Sequence, residues 1–428
     1  MSPSPIKEDF IHYLWKTKKI PKDLISTEGL SIEILDFGVH NLDSGPDFFN
    51  GKIKVNDTVW AGNIEMHVFA SDWLKHGHQH DKAYENVILH VVYEDDLHSE
   101  QLNAQGTIPT VELKGSIPKS YLETYLILVQ SGSEILCKSL IGYVDKNKID
   151  LWKYALSIER LQQKSQLVNE ILQSKGMDWE ETLYIMVARY FGAKVNLDPF
   201  GRLASSLPLH VILKNKDKRE ALDALIFGQA GMLDANYTDE YFQKLKAEYN
   251  FQQKKYGLKS IDAVTWKFSK LRPMNFPTVR LAQFAGLMYR VSFLFSQIKE
   301  TEDITEIKQM LVSQPSSYWD THYRFGQDAH YVVKTTSAEF IELLLINAVS
   351  PVLYTYGLIH DEQQYINKAI QILEEIGGET NVITKAWKSM GISTKTAFDT
   401  QALIHLKNNY CNEKRCVACK IGHEIMGK

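Results

Sequence analysis

The stretch GKIKVNDTVWAGNIEMHVF, residues 51–69, decides how the first part of the chain is read. β-Branched and aromatic residues dominate it, and the polar pair Asn56-Asp57 divides it, so it predicts two strands joined by a tight turn. In its second half, strand alternation puts Asn63, Glu65 and His67 on one face and Ile64, Met66 and Val68 on the other. One face therefore carries a carboxylate beside an imidazole, while the other can enter a core.

Outward from this hairpin, SIEILDFGV (31–39), VILHVVYE (87–94) and TIPTVELKG (107–115) read as further strands. KEDFIHYLWKT (7–17) reads as a preceding helix, and DWLKHGHQHDKAYENV (72–87) as helix-like segments interrupted at Gly77. The order α-β-β-β-α-β, followed by one more strand, fits an α/β sandwich of limited size. From about residue 119 helical periodicity takes over, as in DLWKYALSIERLQQKSQLVNEIL (150–172) and AEFIELLLINAVSPVLYTYGL (338–358). Asp178 with Glu181 forms a capping box ahead of a helix over 179–191, and RPMNFP (272–277) is the clearest break between helices. The expected class is α+β. An α/β domain occupies 1–118, a mainly α-helical domain 119–400, and a Cys-rich tail 401–428.

With 428 residues, the chain exceeds one compact domain of ordinary size. Its 44% apolar and 23% charged residues exclude wholesale disorder. The net charge of −4 carries no global basic signature, so nucleic-acid binding requires a local patch. No run of 18 or more apolar residues occurs, and MSPSPIKEDF lacks the apolar core of an export peptide. The expectation is a cytoplasmic protein without a membrane partner.

Candidate chemistry begins with Pro46-Asp47 in LDSGPDFFNG (42–51), upstream of Glu65-Met66-His67. Acids converging from neighbouring strands would hold Mg²⁺ or Mn²⁺ through oxygen ligands. Such an ion polarises a phosphodiester and lowers the pKa of an attacking water. The plainer alternative has Asp47 capping a turn and Glu65 on a solvated strand face. Eight of the fourteen histidines fall in the first 98 residues, His98 the last of them. His76, His78 and His80 suit a transition metal, or else a polar helix start facing solvent. His90 reads as a satisfied core histidine. Glu112 and Lys114 form a second acid-x-lysine, with Asp95 or Asp96 as pairing acid, although the segment also suits an edge strand with solvated charges.

The tail reads Cys411-x4-Cys416-x2-Cys419-x3-His423, a spacing that suits a structural zinc site. An iron–sulfur cluster is the rival, with Cys137 as a distant fourth ligand. Between 244 and 280 the chain is locally basic, and Lys254, Lys255, Lys267, Lys270 and Arg272 are the candidate nucleic-acid contacts. Tyr249, Phe251, Tyr256, Trp266 and Phe268 interleave with them, as base stacking would need. The alternative is a solvated helix followed by a core-packed loop.

The element order, the literal Pro-Asp and the Glu-x-His of the next strand resemble the PD-(D/E)XK nuclease superfamily. The resemblance implies a restriction-endonuclease-like α/β/α domain. It also implies a metal site at Asp47 and Glu65, with His67 where the superfamily usually has lysine. Gln79 and Tyr84 are one residue too far apart for the glutamine–tyrosine pair that related nucleases carry on the following helix. Over nearly its full length, the chain is similar to an uncharacterised bacterial family, domain of unknown function 2851, of the Bacteroidetes type. SGPDFFNGKI, GNIEMHVFASDW, HGHQHDKAYENVILHVV, IFGQAGML, RPMNFPTVRLAQFA and YCNEKRCVACKIG carry that similarity. The functional expectation is a metal-dependent nuclease acting on DNA or RNA. Its alternative is a non-catalytic nucleic-acid-binding or scaffold protein with a decayed nuclease fold.

Overall fold

A computed structural model describes residues 5–97 and 108–427, which leaves His98 outside the described residues. The chain is α+β, with an N-terminal sheet and a mainly helical remainder. It divides into two compact units. The first holds residues 1–153, 382–392 and 403–428, and the second holds 154–381 and 393–402. The units are thus drawn differently from the sequence boundaries at 118 and 400. Residues 119–153 and most of the tail cluster with the sheet, a long-range association that local periodicity does not report.

In the first unit, helix α1 (Glu8–Lys16) buries Phe10, Ile11, Tyr13, Leu14 and Trp15. The Trp15 indole donates to the Phe37 carbonyl at 2.8 Å, which satisfies its one polar atom inside the core. The strands are β1 (Asp23–Ile25), β2 (Ser31–Asp36), β3 (Val39–His40), β4 (Phe48–Val55), β5 (Thr58–Phe69), β6 (Val87–Glu94) and β7 (Thr110–Glu112). Their spatial order is β1-β2-β4-β5-β6-β7, with β3 beside β4. Strands β4 and β5 form the expected hairpin, with Val55 opposite Thr58 and Asn56 at φ 51°, a left-handed conformation that asparagine tolerates. β5 then pairs parallel with β6, and β6 parallel with β7. A parallel pair needs a crossover, and α2 (Asp72–Lys75) and the turns after it supply it.

Strand β5 is therefore central, and both of its faces are covered. Ile64 and Met66 are fully buried, as alternation predicts. The opposite face is not solvated: Glu65 is 5% exposed and His67 1%. This overturns the alternative that placed Glu65 on a wet strand face.

The second unit packs a single large apolar cluster of helices, within which Phe227 stacks on Trp319 with ring centroids 5.0 Å apart. Its segment Ala338–His360 is long and apolar enough to cross a bilayer, yet 67% of its most apolar window is buried. Asp178 caps its helix as expected, accepting from the Glu181 N–H at 3.0 Å.

Candidate active site

Asp47 lies immediately ahead of β4, and its side chain reaches across to β5. The Asp47 N–H donates to Glu65 Oε2 at 3.1 Å, and the Met66 N–H donates to Asp47 Oδ2 at 2.8 Å. Each carboxylate thus spends one oxygen on the backbone of the other segment. That fixes both side chains and leaves Glu65 Oε1 directed at two histidines.

Glu65 Oε1 lies 3.6 Å from His67 Nε2 and 3.4 Å from His78 Nε2. His67 Nε2 also faces His76 Nδ1 at 3.2 Å. Ligand atoms that share a tetrahedral ion at about 2.1 Å stand about 3.4 Å apart, and these three contacts are close to that. Among the described residues, His67, His76 and His78 are the group of three whose ligand atoms all lie within 4.8 Å of one another. The other nitrogen of His67 meets His90 Nε2 at 2.9 Å. When His67 Nδ1 donates that bond, the Nε2 lone pair is left free for a metal, the usual second-layer arrangement.

Local sequence explains the convergence. Gly77 adopts φ 77°, and this left-handed residue ends α2 and turns the chain between His76 and His78. Trp73 is fully buried, with its ring centroid 5.4 Å from that of His78 and 5.2 Å from that of His90. Tyr84 stacks on His78 at 3.8 Å. His80 is exposed and stands outside the cluster.

Helix α1 contributes two groups that the sequence reading did not single out. Glu8 and His12 are four residues apart and share one helix face. His12 Nε2 lies 3.3 Å from Asp47 Oδ2. The signal was present, as an acid and a histidine at i, i+4 on an amphipathic helix, but nothing local tied that helix to β5.

Electrostatics follow from burial of this polar group. Burial, reinforced by the Asp47 charge, pushes the Glu65 carboxyl up to about 9. Burial and the neighbouring Asp47 raise Glu8 to about 7. His67 falls to about 2, first through burial and then through the surrounding imidazoles, and burial takes His90 to about 3. Burial also works against the protonated form of His12, but its contact with Asp47 outweighs this and raises it. A neutral His67 cannot stand in for the positive charge of a lysine, but its lone pair makes it a ligand. As a donor set, three imidazoles with a carboxylate suit Mn²⁺, Fe²⁺ or Zn²⁺, and of the expected Mg²⁺ or Mn²⁺ this chemistry favours Mn²⁺.

A cleft of about 550 Å³ is lined by His12, His40, Lys16, Arg415, Lys420 and His423; Glu65, His67, His76 and His78 are not on its wall, and His12, which touches Asp47, is the link between the two. Asp9 is the acid on its wall. His423 thus faces this cleft, with its ring centroid 5.2 Å from Tyr13, and is absent from the lining of the cavity that the four cysteines share. Cys137 lines that cavity together with the three tail cysteines.

Two remaining candidates of the first unit are engaged elsewhere. Lys114 pairs with Glu94 at 2.8 Å on the surface, and Asp96 accepts from Ser71. In the second unit, Lys254, Lys255, Lys267, Lys270 and Arg272 are all exposed. The aromatics between them are largely structural: Tyr249 and Trp266 are buried, and Phe268 packs between Phe276 and Arg324. Phe251, at 60% exposure, is the one that faces solvent fully.

No curated protein and no solved structure matches the chain. The profile of the family described as "Protein of unknown function (DUF2851)" matches residues 8–382, and the chain belongs to that family.

Proposed function

We propose that the protein is a metal-dependent phosphodiesterase acting on DNA or RNA, with its centre at Glu65, His67, His76 and His78. The observation that carries this reading is the convergence of Glu65 Oε1 with His67 Nε2 and His78 Nε2 beside an Asp47 locked across the same strands. A divalent ion in that set supplies a Lewis acid and a lowered pKa for water.

The chain's own residues do the rest. Glu65 must lose its proton for the ligand set to form, and the loss is favoured once positive charge stands beside it. Asp47 favours the protonated form of His12, and His12 lines the cleft, where it can give its proton to a leaving oxygen. Lys16, Arg415 and Lys420 on the same wall neutralise phosphates, which local charge must do in a chain of net charge −4. Trp73 and Tyr84 pack against His78 and close the apolar side, while His76 stays exposed to solvent.

The test is cleavage of plasmid and single-stranded substrates with Mn²⁺, Zn²⁺, Fe²⁺ or Mg²⁺ by the wild type, Glu65→Ala and His78→Ala. The expected result is cleavage that favours a transition ion and is lost in both variants. Equal cleavage by all three proteins sinks the proposal. Salt-dependent binding without cleavage under any ion would instead support the scaffold alternative.

A further inference from the structure

The four cysteines fall outside the site just described, and none is in a disulfide. Cys137, Cys416 and Cys419 are buried and Cys411 half-buried, and all four line one small cavity walled by Leu128 and Leu136. Cys137 is more than 270 residues upstream of the other three, so the fold has carried it to them. Buried free thiols are ordinary one at a time. Four facing one apolar space are not, because as thiolates they repel one another. Burial and the neighbouring sulfurs accordingly hold Cys411 and Cys416 up at about 12. A shared cationic centre reverses that cost.

The surroundings are built for sulfur ligands. The backbone N–H groups of Ile421 and Gly422 point at the Cys419 sulfur. Such donors stabilise thiolates ligating iron. Gly422 has no room for a side chain, since a Cβ there would collide with the Cys416 carbonyl. The glycine therefore allows the helix Lys420–Met426 to begin directly against the cysteine loop.

One observation separates the candidate centres: the spacing Cys411-x4-Cys416-x2-Cys419 with one distant cysteine is that of a known iron–sulfur ligand pattern.

We infer that Cys137, Cys411, Cys416 and Cys419 ligate an iron–sulfur cluster that clasps the C-terminal segment to the sheet-bearing unit. Each thiol gives up its proton on ligation, and iron and sulfide fill the space between the sulfurs. The clasp closes a very long loop, the situation in which a cross-link constrains the unfolded chain most.

The full chain, purified without oxygen, is assayed for iron, zinc, acid-labile sulfide and visible absorption. The expected result is iron and sulfide in equal amounts, with sulfide-to-iron charge-transfer bands. Cys137→Ser should lower both contents by about tenfold or more, while His423→Ala should leave them unchanged. If Cys137→Ser does not fold, wild type stripped by a chelator is offered iron with sulfide, or zinc alone. Only the first should restore the thermal unfolding temperature and the colour. Zinc without sulfide, four titratable thiols in the anaerobic protein, or an undiminished cluster in Cys137→Ser would each overturn the assignment.

Discussion

Asp47 and Glu65 hold each other through the backbone: Glu65 Oε2 accepts from the Asp47 N–H at 3.1 Å, and Asp47 Oδ2 accepts from the Met66 N–H at 2.8 Å. Two acids on adjacent segments would otherwise repel. Here each is anchored by an amide, and Glu65 is held neutral up to about pH 9 until a cation arrives.

Glu65→Gln should keep the fold and lose the ion. The uncharged amide retains the shape of a side chain that is already protonated near neutral pH, so the unfolding temperature of metal-free protein should be equal or slightly higher. Mn²⁺ affinity, followed by calorimetry, should fall by at least about 100-fold. A Mn²⁺ affinity equal to wild type would remove Glu65 from the ligand set.

Metal-free protein should lose stability as pH rises above about 6.5. His67 and His90 are held neutral down to about 2 and 3, whereas in the unfolded chain they take protons below about 6.5. Their contribution is present above 6.5 and is lost as pH falls below it. Glu65 and Glu8 act in the opposite sense: their folded pKa values of about 9 and about 7 lie above the unfolded value, so stability declines as pH rises from about 4.5. Between 4.5 and 6.5 the two carboxyls oppose the two histidines, and above 6.5 the carboxyls act unopposed by them. Urea midpoints measured across pH should show this alkaline decline, and Glu65→Gln should flatten it.

Trp73→Ala should cost about 3–5 kcal/mol, the usual range for removing a fully buried large aromatic. It should also wet His67, His78 and His90 and weaken Mn²⁺ binding, whereas Trp73→Phe should largely preserve both. A loss of less than about 1 kcal/mol in Trp73→Ala would show that the ring does not close the site.

Lys16→Ala with Lys420→Ala should weaken single-stranded DNA binding and reduce the slope of log affinity against log salt by about 0.7 per charge removed. Both side chains are exposed, so the urea midpoint should not move. Lys254→Ala with Lys255→Ala in the second unit should leave the slope unchanged. The reverse pattern would shift substrate binding from the cleft to the helical unit.

Much of the first unit was legible because strand periodicity is local. The Asn56-Asp57 turn, the apolar face of Ile64 and Met66, and the shared face of Glu65 and His67 all follow from a period of two along one segment. The capping box at Asp178 and the helical spacing after residue 119 are local in the same sense. Family membership was likewise legible in the longer motifs.

Tertiary structure alone decided what those residues do together. Parallel pairing of β5 with β6 buries the face that alternation leaves undefined, and it brings His90 to His67 from 23 positions away. The crossover around Gly77 delivers His76 and His78 but leaves His80 in solvent, and α1 adds Glu8 and His12. Cys137 meets the tail cysteines only because the fold closes a loop of most of the chain. Spacing along one strand or helix is set by backbone geometry, so the sequence determined it. Which faces meet is set by burial summed over distant segments, and no single segment carries that information.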